Sequence, residues 1–184
     1  MNYAEIKTCD IANGIGVRVS LFVSGCRNRC KNCFNKETWD FNYGKLFTEE
    51  IAQSIFKACE PDYITGLTIL GGEPFEPENQ AVLVKFTDEF RRRFLDSKTI
   101  WCYSGYTYEL LTASDGSHCR TECTDSFLEN IDVLVDGRYE EELHDITLRF
   151  RGSSNQRIID MKKTRENGQL ILWQDDAVFA THEM

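Results

Sequence analysis

Three cysteines, Cys26, Cys30 and Cys33, fall within eight residues of the stretch SGCRNRCKNCFNKETWD, residues 24–40. Thiolates spaced C-x3-C-x2-C on one loop can face a single metal centre, and three chemistries compete for them. Structural zinc takes four ligands, commonly as paired C-x2-C knuckles or with a nearby histidine pair. The only histidines are His118, His144 and His182, so a fourth zinc ligand would have to be a distant cysteine such as Cys9, Cys59 or Cys102. A cubane iron–sulfur cluster is held by cysteine thiolates, and three of them leave one iron open to a substrate. A disulfide framework is the third reading, and the rest of the chain argues against it.

The chain has 184 residues, eight of them cysteine, and 41% are hydrophobic. That is enough for a well-buried core without covalent staples. The N-terminus, MNYAEIKTCD, carries no apolar secretory signal, and no apolar run is long enough to cross a membrane. A cytoplasmic location with reduced thiols is therefore expected. The net charge of −9 disfavours nucleic acid and anionic membranes as partners.

Strands and helices alternate around the cysteines. VRVSLFV, residues 17–23, is short and β-branched and reads as a buried strand that delivers the chain to the cysteine loop. Thr48 looks like an N-cap for a helix carrying Ile51, Ile55 and Phe56. GLTIL, residues 66–70, is a second strand and stops at Gly71-Gly72-Glu73-Pro74; a helix over 79–94 follows. TIWCY, residues 99–103, is a third strand ending at Ser104-Gly105, and VLV, residues 133–135, a fourth ending at Asp136-Gly137. Between them lie short helical pieces over 108–111 and 127–131 and a polar excursion over 114–124. Residues 146–151 and 169–173 are read as further strands.

This alternation predicts an α/β fold with a mostly parallel sheet and right-handed crossovers. A full eightfold (β/α) barrel needs about 250 residues, so a partial, open barrel is expected. A single domain spanning residues 1–184 is expected, with a tail from Gln174 that matches nothing. In such sheets functional loops lie at the C-terminal ends of the strands. The cysteines, Gly71-Gly72-Glu73, Ser104 and Asp136 would then meet on one rim.

C-x3-C-x2-C after the first strand, with Gly-Gly-Glu-Pro after the second, resembles the radical S-adenosylmethionine (SAM) enzymes. That resemblance implies the open barrel of the radical SAM type, a [4Fe–4S] cluster on Cys26, Cys30 and Cys33, and SAM on the fourth iron. It implies that Gly71, Gly72 and Glu73 cradle the methionine amino group, since glycines permit close approach and a carboxylate suits an ammonium. NGIGVRVSLFVSGC, CFNKETW, CYSGYT, VLVDGRY and RGSSNQ together resemble the activating enzymes of anaerobic (class III) ribonucleotide reductase. The implied activity is reductive cleavage of SAM and abstraction of hydrogen from a glycine of the large reductase subunit. The implied partners are that subunit and a flavodoxin-like electron donor.

The resemblance carries further residues into the site. Asn32, Cys33 and Phe34 lie where the family's cluster loop meets SAM, with Phe34 in place of the usual aromatic at position 32. Asn35 matches an asparagine beside the cofactor, or else caps a turn. Ser104 and Asp136 stand at strand ends where ribose or carboxylate contacts are expected, although Asp136-Gly137 also suits a plain turn. Asn155 in RGSSNQ is a weaker candidate.

Arg27, Arg29 and Lys31 interleave with the cysteines and read as a docking surface for an acidic donor, as tuning charges, or as a solvated loop. Cys119 and Cys123 are too few, with His118, to bind a metal alone. Cys9, Cys59 and Cys102 read as small core hydrophobes. Two other functions stay open on the residues themselves: a radical SAM enzyme of the deazapurine-synthase kind acting on a small molecule, and a zinc-stabilised binding module.

Overall fold

The computed structural model describes residues 1–114 and 116–175. Val17–Val23 forms the strand β2, preceded by β1, Asn2–Asp10, and followed by β3, Lys45–Leu46. The remaining strands are β4, Ile64–Gly71; β5, Thr99–Tyr103; β6, Val133–Asp136; and β7, Arg157–Asp160. All seven join one sheet in the order β3-β1-β2-β4-β5-β6-β7. The central four, β2, β4, β5 and β6, pair in parallel, and antiparallel strands close both edges. The parallel strands are buried on both faces, as the continuous apolar run in β2 requires.

On one face lie α1, Glu49–Cys59, and α2, Pro77–Phe94, with the shorter α3, Tyr108–Thr112, α4, Thr124–Glu129, and α5, Met161–Asn167. The Thr48 hydroxyl caps α1 by accepting from the Ile51 amide. Ile55 and Phe56 of α1 and Leu83 and Phe90 of α2 are fully buried against Val19, Leu21, Ile69 and Ile100 of the sheet. Phe56 stacks on Phe86 at 5.1 Å between ring centroids.

The other face carries a smaller cluster around Trp101, Val133 and Val135. Its lower end, at the N-terminal ends of the parallel strands, holds Arg18, only 1% exposed. The Arg18 guanidinium donates to Thr68 Oγ1 (2.7 Å), the Leu67 carbonyl (2.7 Å), the Thr99 carbonyl (2.9 Å) and Thr99 Oγ1 (3.0 Å). Longer bonds reach the Ile15 carbonyl and Thr65 Oγ1. Trp101 lies beneath it and packs edge-on against Phe150 and Trp173. Burial without a carboxylate partner lowers the Arg18 pKa to about 10.

Some sequence expectations fail for identifiable reasons. β1 escapes the pattern because it is an outer strand with Glu5, Lys7 and Cys9 exposed, so no apolar run marks it. Cys9 is accordingly a surface thiol, whereas Cys59 and Cys102 are fully buried. Residues 146–151 form turns, and residues 169–173 contribute only a single bridge, Leu172 to Ile159. The last strand is instead β7, a four-residue segment with little apolar signal, set antiparallel to β6. The expected tail falls, from residue 176, outside the described residues. Among the described residues no helix is long and apolar enough to cross a membrane.

Candidate functional site

The parallel strands end on a common rim, and backbone hydrogen bonds lock their loops together. The Gly72 amide donates to the Val23 carbonyl (2.8 Å) and the Glu73 amide to the Gly25 carbonyl (2.8 Å). Gly25 in turn donates to the Thr38 carbonyl (2.8 Å), which folds the chain after the cysteines back onto their start. The contact is so close that a Cβ on Gly72 would stand 2.6 Å from the Gly25 carbonyl oxygen. The Gly-Gly segment is thus the floor on which the cysteine loop rests.

Above this floor opens a cavity of about 330 Å³. Cys26, Cys30 and Cys33 all line it, together with Asn32, Phe34 and Asn35 of the same loop. Gly71, Gly72, Glu73 and Ser104, also candidates from the sequence, line the same cavity. Phe34 is fully exposed at the mouth and belongs to no core. The Asn35 side chain makes no capping bond to the short 3-10 helix Lys36–Trp39, so its turn-capping reading does not hold.

Glu73 is 1% exposed, and its carboxylate is completely engaged. Oε1 accepts from the Phe75 amide (3.0 Å) and Ser104 Oγ (2.8 Å); Oε2 accepts from the Gly105 amide (2.7 Å) and Asn28 Nδ2 (3.0 Å). One buried carboxylate therefore ties together the loops after β2, β4 and β5. Burial outweighs these bonds and raises its pKa to about 7. The next acid along, Glu76, is also buried and accepts from the Arg27 amide, the Arg27 guanidinium and the Tyr106 hydroxyl.

Asp136 is not in the cavity wall. It is fully buried and accepts from Arg157 Nε (2.9 Å), Arg157 Nη2 (2.5 Å) and the Tyr108 amide (2.7 Å), which joins β6, β7 and α3 beside an adjacent hollow. Asn155 lines that same hollow, and its amide donates to the Arg138 carbonyl (2.8 Å). Residues absent from the sequence expectation share the cavity wall, among them Asn28, Trp39, Tyr103, Gly105, Tyr139 and Arg151. All of these sat in segments already singled out: Asn28 and Trp39 in the cysteine stretch, Tyr103 and Gly105 in CYSGYT, Tyr139 in VLVDGRY and Arg151 in RGSSNQ. Their side-chain surroundings have no signature in a linear pattern.

The donor set suits an iron–sulfur cluster. The three thiols are free, they share one wall, and a glycine floor leaves room above it. Among the described residues no three His, Cys, Asp or Glu side chains are gathered as a preformed metal site. Burial, reinforced by Glu73, raises the Cys26 thiol to about 12, so this thiol gives up its proton when it becomes a ligand.

A family model described as a 4Fe-4S single cluster domain matches residues 12–159. The anaerobic ribonucleoside-triphosphate reductase-activating protein of Enterobacteria phage T4 is 37% identical over 158 residues, covering 86% of this chain and 93% of its own length. Those of Pasteurella multocida and Escherichia coli K12 are 39% and 36% identical, over 85% of this chain and 95% and 96% of theirs. The chain belongs to the family of anaerobic ribonucleoside-triphosphate reductase-activating proteins.

Within this member of the family the charges around the cysteines are mostly committed. Arg27 pairs with Glu76 and Glu78 and covers the Phe41 ring at 4.5 Å. Lys31 pairs with Glu142 at 2.9 Å, both side chains exposed. Among the described residues only Arg29, of these three cations, lacks an acidic partner. It sits at a φ of 47°, in the left-handed region. Cys119 is a core thiol, hydrogen-bonded to the Ser117 hydroxyl, and Cys123 precedes α4.

Proposed function

We propose that this protein activates anaerobic ribonucleoside-triphosphate reductase by installing a glycyl radical on its large subunit. The observation that carries the reading is the meeting of three free thiols with a Gly-Gly-Glu floor in one cavity on the strand rim. When bound there, a [4Fe–4S] cluster would supply one electron to SAM at its open iron, giving methionine and a 5′-deoxyadenosyl radical that takes a hydrogen atom from glycine.

This chain's own residues hold and orient. Cys26, Cys30 and Cys33 are the cluster ligands of this reading. Gly71 and Gly72 present backbone at close range to the methionine amino group, and Glu73 offers it a buried negative charge. An ammonium at that point favours the ionised carboxylate, which burial alone disfavours. Asn32 and Asn35 supply amide contacts from the cysteine loop, and the exposed Phe34 supplies an apolar face for the adenine. Ser104 and Asp136 act through the frame, Ser104 by fixing Glu73 and Asp136 by anchoring Arg157. The single seven-stranded sheet with four central parallel strands supports one domain of the partial-barrel type. A flavodoxin-like protein is the electron donor of this reading, met at the cysteine loop by Arg29.

The test combines the anaerobically reconstituted protein with the reductase large subunit, SAM and a reductant. A glycyl-radical doublet in the electron paramagnetic resonance (EPR) spectrum of the reductase is expected, with a stoichiometric complex of the two proteins. SAM cleavage without any radical on the reductase would contradict the proposal and favour a small-molecule substrate.

A further inference from the structure

Buried polar side-chain atoms in folded proteins nearly always have partners, so each exception calls for a reason. Among the described residues six such atoms have none, and three of them belong to residues in the wall of the cavity just described. These three are Trp39 Nε1, the Tyr103 hydroxyl and Arg151 Nε. Indole and guanidinium nitrogens can only donate, and a phenol donates readily. They enter from separate parts of the chain: Trp39 from the helical turn after the cysteines, Tyr103 from the end of β5, Arg151 from the segment before β7. Three unconnected segments thus bring to one cavity wall residues that each carry a buried, unpaired donor, and the same wall holds the three thiols.

Arg151 adds a charge. Its Nη1 donates to the Gln156 carbonyl (2.8 Å), but no carboxylate pairs with it among the described residues. The cations near the cavity mouth, Arg27 and Lys31, each have acidic partners. Asp145 lies within electrostatic reach of Arg151 but forms no ion pair with it, so the guanidinium beside the cavity can take an anionic group of a ligand. The carboxylate is the only anionic group SAM carries.

We infer that Trp39, Tyr103 and Arg151 are ligand-binding residues of this cavity, donating to acceptor atoms of SAM, with Arg151 taking the methionine carboxylate. The inference rests on the radical SAM reading of the cavity. It explains why the donors remain unpaired without ligand: their partners arrive with it. It also separates them from Glu73, whose bonds are already complete and which frames the site before anything binds.

The experiment measures SAM affinity by equilibrium dialysis on the anaerobically reconstituted protein, for wild type and for Tyr103→Phe, Trp39→Phe and Arg151→Gln. Tm is recorded for each without SAM. Removing a neutral donor should weaken SAM binding about fivefold, and removing the charged one about thirtyfold. Because each donor has no partner in the unliganded protein, Tm should hold or rise in Tyr103→Phe, which deletes a single oxygen. Wild-type binding with affinities unchanged in all three variants would overturn this inference alone. Losses of affinity that track equal losses of Tm would also overturn it. No binding by the wild type would overturn the radical SAM reading and this inference with it.

Discussion

Trp101 and Tyr103 lie two residues apart on β5 and pack in one cluster, yet Trp101 sits under a fully bonded arginine while Tyr103 lines the thiol cavity. At the lower end Arg18 is buried among six hydrogen bonds and lies over the Trp101 ring, which packs against Phe150 and Trp173. At the rim, Tyr103, Trp39 and Arg151 each carry a donor with no partner. Both ends bury polar groups, which is costly unless they are bonded. The lower end solves the problem within the chain. The upper end leaves it for a ligand to solve. The contrast is between these two groups of residues: Arg18 is satisfied within the chain, and the three donors of the cavity wall are not.

The largest test of this contrast removes a thiol. Cys30→Ala should abolish cluster assembly and glycyl-radical formation outright, measured by iron and sulfide content and by EPR, while urea unfolding of the unloaded protein changes little. A variant that still assembles a SAM-responsive cluster would place the metal elsewhere.

The opposite change belongs to the lower end. Arg18→Leu strands the Leu67 and Thr99 carbonyls and should cost about 3 kcal/mol of stability, read from urea denaturation. SAM affinity of the folded fraction should stay within twofold of wild type. A large loss of affinity at unchanged stability would erase the distinction between the two ends.

A third test follows from Glu73, whose pKa is raised by burial from 4.5 to about 7. The folded protein then holds this proton over a range where the unfolded chain has lost it. Stability from this group must fall as pH rises from about 4.5 to about 7 and level off above, a drop of about 3 kcal/mol. The difference in unfolding free energy between wild type and Glu73→Gln should trace that fall. Parallel pH profiles for the two proteins would show that the carboxylate titrates normally.

The smallest effect concerns the loop surface. Because Arg27 and Lys31 are already paired, Arg29→Glu is the charge reversal that should matter for an acidic electron donor. Reduction by flavodoxin should slow about threefold at low salt and recover at high salt. A rate indifferent to both would make Arg29 a solvated cation with no docking role.

Much of the frame was legible because local signals agreed with burial. Val17–Val23 and Thr99–Tyr103 are short apolar runs that became strands with those bounds, and Thr48 capped α1 as its type and position required. β1 and β7 were not legible, since an edge strand alternates weakly and a four-residue strand has almost no pattern to read. The cysteines were marked by their spacing and Gly71-Gly72 by the family resemblance, and the structure brings both to one cavity. Asp136, expected at a strand end on the rim, lies outside the cavity wall with its carboxylate held by Arg157, a pairing across 21 residues that no local pattern shows. Trp39, Tyr103 and Arg151 were invisible for a similar reason: a missing hydrogen bond can be seen only once the surroundings of an atom are known.

The central claim is that the rim cavity holds an oxygen-sensitive cluster with one iron open to SAM. The most direct measurement is EPR of the protein reconstituted anaerobically with iron and sulfide, reduced, and recorded with and without SAM. The account predicts a [4Fe–4S] signal that changes when SAM is added. Zinc without sulfide, or a cluster signal indifferent to SAM, would contradict it.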